Sequence, residues 1–204
     1  MRKLVAVSLF ALFTLVTTSA FGQGIDFAFG LSTLKSASAT TSEINSCFNG
    51  GPCNAQQIGG GAFPGFSGDF LVHKNLGVQG EVFWRASRNN YLGSLPFRPI
   101  MYDFNAIYAP RFGRVGPELM AGIGALSSRF YQNQIVSCSF SGCTNYTSSN
   151  HFALHVGGGL KLYFMKSVFL RPEVHYYYVR NADVEFTSNN VLRIGASIGV
   201  SFGR

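Results

Sequence analysis

The sequence predicts an all-β protein, an eight-stranded antiparallel up-and-down transmembrane β-barrel. Three observations carry this reading. Period-two alternation of apolar and polar residues recurs eight times. The connections between these runs alternate between short and long. Ionisable residues of both signs share one parity with Gly, Ala and Ser, while the aromatics hold the other.

The runs follow in order. IDFAFGLS sets Ile25, Phe27, Phe29 and Leu31 against Asp26, Ala28, Gly30 and Ser32. FSGDFLVH sets Phe66, Phe70 and Val72 against Ser67, Asp69 and His73. GVQGEVFWRA opposes Val78, Val82 and Trp84 to Gln79, Glu81, Phe83 and Arg85. IMYDFNAIY opposes Ile100, Tyr102, Phe104 and Tyr108 to Met101, Asp103, Asn105 and Ile107. In GPELMAGIGA, Leu119 and Ile123 face away from Glu118 and Met120. In HFALHVGGGLKLY, Leu154, Val156, Leu160 and Leu162 oppose His151, His155 and Lys161. VFLRPEVHYYYV sets Leu170, Pro172, Val174, Tyr176 and Tyr178 against Arg171, Glu173, His175 and Tyr177. VLRIGASIGVSF closes the series, with Ile194, Ile198, Val200 and Phe202 against Arg193, Gly195, Ser197 and Ser201. Pro172 cannot donate to a ladder, so a bulge or irregular pairing is expected there.

Three connections are tight: Lys74 to Leu76, Arg111 to Arg114, and Met165 to Ser167. The other four, 33–65, 87–98, 127–150 and 180–189, are long and mostly rich in Ser, Asn, Gly and Thr. Short turns at one end and long loops at the other are the layout of an outer-membrane barrel, with both chain ends on the periplasmic side. A soluble sandwich or carrier barrel would bury its apolar face and place long solvated side chains outside. Here the second face carries small residues interspersed with single charges. That suits the crowded interior of an eight-stranded barrel, which side chains just fill. Of the nine acidic residues, Asp26, Asp69, Glu81, Asp103, Glu118 and Glu173 lie on this face. Arg85, Lys161, Arg171 and Arg193 join them there. Trp84, Tyr102, Tyr108, Tyr176, Tyr178 and Phe202 lie on the other face, as girdle aromatics do.

Composition agrees. Charged residues make up 12% of the chain and aromatics 15%, with 24 Gly. No apolar run after the N-terminus is long enough for a spanning helix. Arg2 and Lys3, the apolar stretch Leu4 to Val16 and the small residues Thr18, Ser19 and Ala20 read as a signal peptide. The expected division is therefore 1–22 signal peptide and 23–204 barrel domain. Removing Arg2 and Lys3 lowers the formal charge of +7 by two. The remaining basic residues are scattered, which argues against nucleic acid as a partner.

Cys47 and Cys53 sit in CFNGGPC, Cys138 and Cys143 in CSFSGC. Four cysteines in an exported chain allow three connectivities. Two local disulfides, Cys47–Cys53 and Cys138–Cys143, are favoured over a four-thiolate metal site, whose usual spacing is absent. No cofactor and no metal is expected.

On the eight alternating runs, on VFLRPEVHYYY and on the final RIGASIGVSF, the mature chain resembles the small outer-membrane β-barrel family of OmpA/OmpX-like barrels. The resemblance implies an outer-membrane location, lipid around the barrel, and the barrel-assembly machinery as a partner. In that family the last strand ends at an aromatic residue; here Gly203 and Arg204 follow Phe202.

The expected lumen network is Glu81, Glu118, Lys161, Arg171, Glu173 and Arg193. Buried charges need partners, which makes a structural plug a better reading than a gate. The four histidines share the lumenal parity and are spread over three strands, so structural roles are expected of them. A lipid-modifying enzyme built on His155, Ser127 or Ser128 and Glu173 is the alternative from another class. Its His155 points inward, away from lipid, so the chain is not expected to be an enzyme. The long loops offer the surface for an extracellular ligand. The expected function is structural or surface interaction, meaning adhesion or envelope integrity, with a narrow pore or small-solute permease as the alternative.

Overall fold

Neighbouring strands in the sheet are also neighbours in the chain, and the last returns to the first. The computed structural model describes residues 24–49, 56–139 and 142–203. The barrel strands are β1 (Ile25–Ser36), β2 (Phe63–His73), β3 (Leu76–Trp84), β5 (Leu95–Tyr108), β6 (Val115–Tyr131), β9 (Tyr146–Tyr163), β10 (Val168–Val179) and β11 (Asn190–Phe202). Each pairs antiparallel with the next, β3 pairs with β5, and β1 pairs with β11 to close the cylinder. The remaining strands are short: β4 (Asn89–Tyr91) folds back on β5, and β7 (Ser137–Ser139) pairs with β8 (Gly142–Thr144). A helix, α1 (Thr41–Phe48), lies in the first long loop, where the sequence signals only a loop. The expected signal peptide, 1–22, lies outside the described residues. So does Cys53, and with it the expected Cys47–Cys53 bond.

Burial alternates along every barrel strand, with the apolar parity outside. In β10 the side chains of Phe169, Arg171, Glu173, His175, Tyr177 and Val179 are buried, and those between them are mostly exposed. On the outside, Phe104 is 59% and Leu119 63% exposed. This inverts the polarity of a water-soluble protein and matches the band a barrel presents to lipid.

The strands run longer at the long-loop end than the sequence pattern indicates. β6 pairs with β9 from Val115↔Leu162 to Tyr131↔Tyr146 in one unbroken register. The alternation signal fades there because polar residues occupy both faces once the strands leave the apolar band.

Pro172 makes no bulge. The β9–β10 pairing skips Arg171 and Pro172 and resumes at Glu173↔Gly159 in the same register, while the β10–β11 pairing is continuous. The missing N–H leaves a gap on one side only. The register shift lies instead between Leu71 and His73 of β2. It carries His73, expected in the lumen, out to an exposed position at the short turn.

Candidate functional site: an ion-paired lumen under a sealed mouth

All eight barrel strands deliver charged side chains to the same narrow interior. Near the short-turn end, Lys161 Nζ meets Asp26 Oδ2 at 2.6 Å and Asp69 Oδ2 at 2.7 Å, and also pairs with Glu118. One ammonium thus holds β1, β2, β6 and β9 together. Arg171 lies beside it, 1% exposed. Its Nη1 donates to Glu118 Oε1 at 2.7 Å, its Nη2 to Ser67 Oγ at 2.9 Å, and its Nε faces Glu173 Oε2 at 2.8 Å. Farther up, Arg193 grips Glu81 with both ends of its fork, at 2.6 and 2.8 Å. Its guanidinium rests on the Phe83 ring, 4.2 Å from the centroid. The expected set of Glu81, Glu118, Lys161, Arg171, Glu173 and Arg193 is therefore brought into one connected group.

A neutral chain of hydrogen bonds links these clusters. Arg193 Nη2 lies 2.7 Å from His175 Nε2; arginine has no acceptor, so that nitrogen accepts. His175 Nδ1–H then donates to His155 Nε2 at 2.9 Å, and His155 Nδ1–H to Asn105 Oδ1 at 2.6 Å. Asn105 Nδ2 donates to Asp103 and to Gln79, and Gln79 Nε2 to Asp69 Oδ1 at 2.9 Å. The arginine thus fixes both imidazoles as neutral Nδ1–H tautomers. The rings lie side by side and nearly coplanar, centroids 5.1 Å apart, where Gly157 leaves room. A Cβ at Gly157 would lie 2.7 Å from His175 Nδ1.

The lumenal carboxylates outnumber Lys161, Arg171 and Arg193, and neutral donors take up the remainder. Tyr177 donates to Asp103 Oδ2 at 3.0 Å and Ser201 to Asp26 Oδ1 at 2.5 Å. Asp26, Asp69, Asp103, Gln79, Asn105 and the histidine pair belong to the network, although the sequence reading left them out of its core set. Their lumenal parity was readable; the register that puts them at the same height was not. Arg85 stands apart at the rim, beside Gly61, whose φ is +84°. His151 bonds Glu185 at 3.3 Å near the mouth, remote from the His155–His175 pair.

Both ends of the lumen are apolar. At the short turns, Leu71, Ile107, Ala109 and Met120 form one cluster, and Ala28, Tyr163 and Phe169 another. At the opposite mouth, Phe63, Phe83, Phe97, Leu126, Tyr177 and Val191 from the wall pack against Ile58 and Phe186 from two loops. Loop ties hold this lid down: Thr187 N donates to Gln56 O at 3.0 Å and Gly60 N to Leu34 O at 2.8 Å. Tyr91 O–H donates to Glu185 O at 2.8 Å. Burial, reinforced by the Glu185 carboxylate, pushes the Tyr91 phenol above its ordinary range, so it remains a donor. A recess between Ser32, Glu81, Arg171, Glu173, Arg193 and Ser197 measures about 10 Å³, room for about one water.

The trio considered for lipid chemistry is not assembled. His155 is held by Asn105 and His175. Its partner across the β6 ladder is Gly122, so Ser127 lies five residues, roughly 17 Å, farther along. Cys138 and Cys143 form a disulfide that closes the β7–β8 hairpin. Among the described residues no cluster of His, Cys, Asp and Glu is arranged to hold a metal.

No family model and no curated protein matches this sequence. Solved structures do match its shape. The N-terminal β-barrel domain of Pseudomonas aeruginosa OprF is 15% identical with a TM-score of 0.53, over 89% of this chain and 98% of that one. Neisserial surface protein A is 14% identical with a TM-score of 0.52, over 89% and 96%. Ail, the attachment invasion locus protein of Yersinia pestis, is 14% identical with a TM-score of 0.52, over 89% and 99%. The fold is that of the small outer-membrane β-barrels. In barrels of this fold the short turns are periplasmic and the long loops extracellular; the aromatic lid lies at the long-loop end of this one.

Proposed function

We propose that this protein is a structural and surface-interaction barrel of the bacterial outer membrane, a closed scaffold that displays its extracellular loops for attachment or envelope integrity. The sealed lumen carries the reading. Charged partners fill the interior at 2.6–2.8 Å, and an apolar lid tops it, so a solute would have to break several buried ion pairs to pass. A narrow pore is the second reading, and the same packing argues against it. A lipid-modifying role is argued against by His155, which has no serine to activate. Ail, one of the proteins similar in shape, has been solved with the heparin analogue sucrose octasulfate. That supports attachment through loops as a function this fold can serve.

Planar-bilayer recordings test the closed scaffold. The folded full chain should show no steady conductance, and reproducible openings would favour the pore. Attachment is tested with cells displaying the full chain or a chain whose residues 132–145 are replaced by a short Gly-Ser turn. Attachment should drop in the second; equal attachment would leave envelope integrity as the role.

A further inference from the structure

The outward parity of the eight barrel strands carries charge at only three described positions: Lys35, Arg98 and Arg129. All three are cations, and all lie at the extracellular ends of their strands. Arg98 and Arg129 face each other directly across β5 and β6, where two like charges repel. Arg88 joins them, its guanidinium 3.8 Å from the Tyr131 ring centroid, while Arg129 lies 4.9 Å from the Tyr146 centroid. None of Arg88, Arg98 and Arg129 has a carboxylate within ion-pair distance among the described residues. Among the described residues the Arg98 side chain makes one hydrogen bond, from Nη2 to Ala86 O at 3.3 Å, and its Nε is buried without a partner.

Their height identifies the counter-charge. Arg98 is ten residues from the outward Tyr108, and Arg129 ten from the outward Leu119; Tyr108 and Leu119 are themselves paired near the periplasmic end. Ten residues span roughly 33 Å along a strand, hence about 25 Å along the membrane normal at the usual tilt, which is the height of the apolar band. The cations stand just above the level of Trp84 and Ile100, which pair with each other. That level is where the headgroups of the outer leaflet begin.

We propose that Arg88, Arg98 and Arg129, with the Tyr131–Tyr146 pair, form a binding site on the outer barrel wall for a phosphate-bearing lipid headgroup of the outer leaflet. The proposal rests on the outer-membrane barrel reading above and names a specific lipid contact within it. Phosphate oxygens accept from the forked guanidinium groups, relieve the repulsion between Arg98 and Arg129, and leave the acyl chains against the apolar wall below.

The chain contains one tryptophan, Trp84, two strand positions below this site, so it reports on occupancy. The full chain, folded in phosphatidylcholine nanodiscs, is titrated with bisphosphorylated lipid A while Trp84 fluorescence is followed. A saturable change is expected, with its midpoint raised roughly ten- to thirtyfold in the Arg98→Gln, Arg129→Gln double variant. Arg114→Gln, at a periplasmic turn, should leave the midpoint unchanged. Dephosphorylated lipid A should give no saturable change. Heat-modifiable gel mobility establishes folding beforehand, and Arg98→Gln alone, with a smaller shift, serves if the double variant fails to fold. An unchanged midpoint in the folded variants, or equal binding of dephosphorylated lipid, overturns the site. Saturation by a soluble sulfated polysaccharide through the same arginines, with lipid A inert, also overturns it, because the surface would then read a soluble polyanion. Conductance and outer-membrane fractionation test the barrel reading without involving these arginines, so the two fail separately.

Discussion

Arg171 shows how much one side chain carries here. It contacts residues of β2, β6, β10 and β11. Truncating it leaves Glu118 to Lys161 alone and Glu173 with only the Arg193 guanidinium, 3.4 Å away. Arg171→Ala should destabilise the detergent-folded barrel by roughly 3–5 kcal/mol, against less than about 1 kcal/mol for Arg88→Ala. Heat-modifiable mobility over a temperature series measures both; equal effects would contradict the buried placement. Gly157→Ala probes the histidine pair. Its Cβ would press on His175, so the variant should lose about 1–3 kcal/mol by overpacking, read by the same assay. A melting temperature equal to the wild type would mean the hydrogen-bonded pair can move aside at no cost.

Among the elements, the β7–β8 hairpin is the most separable. Cys138–Cys143 clips it, and among the described residues its strands form a two-stranded sheet of their own. Reduction should therefore leave barrel melting unchanged while raising proteolysis at residues 132–145, as followed by mass spectrometry. A fall in barrel melting on reduction would show that the loop braces the wall. The sequence makes these elements legible to different degrees. Each of the eight strands announces itself where it crosses the apolar band, because one face must then be greasy. Past the band neither face is constrained, so the upper ends of β6 and β9, the strands β4, β7 and β8, and α1 leave no periodic trace. At Pro172 the local rule held that an N–H was missing, but the ladder on both sides kept the register.

At the scale of the whole molecule, inverted polarity is the property to measure. Nitroxide labels at position 193 and position 198, one at a time, should differ: dissolved oxygen should relax the label replacing Ile198 and spare the one replacing Arg193. The reverse result would refute the barrel's orientation of faces. The lumen was partly legible. Parity names its residues, since charge excluded from lipid has only the interior left. Which carboxylate meets which cation depends on strand register and shear, which no run of residues encodes alone. The sealed mouth was not legible at all. Ile58 and Phe186 are single apolar residues in polar loops, and only the closed cylinder gives them a shared place to go.

The ion pairs also bear on how such a chain enters a bilayer. Lys161 and Asp26 are 135 residues apart, and Arg193 and Glu81 are 112 apart. A partly built sheet would expose these lone charges to hydrocarbon, at several kcal/mol each. All-or-none insertion is the expected consequence, with the eighth strand in place before the first enters the oily layer, and a chain lacking its β11 should stall at the membrane surface.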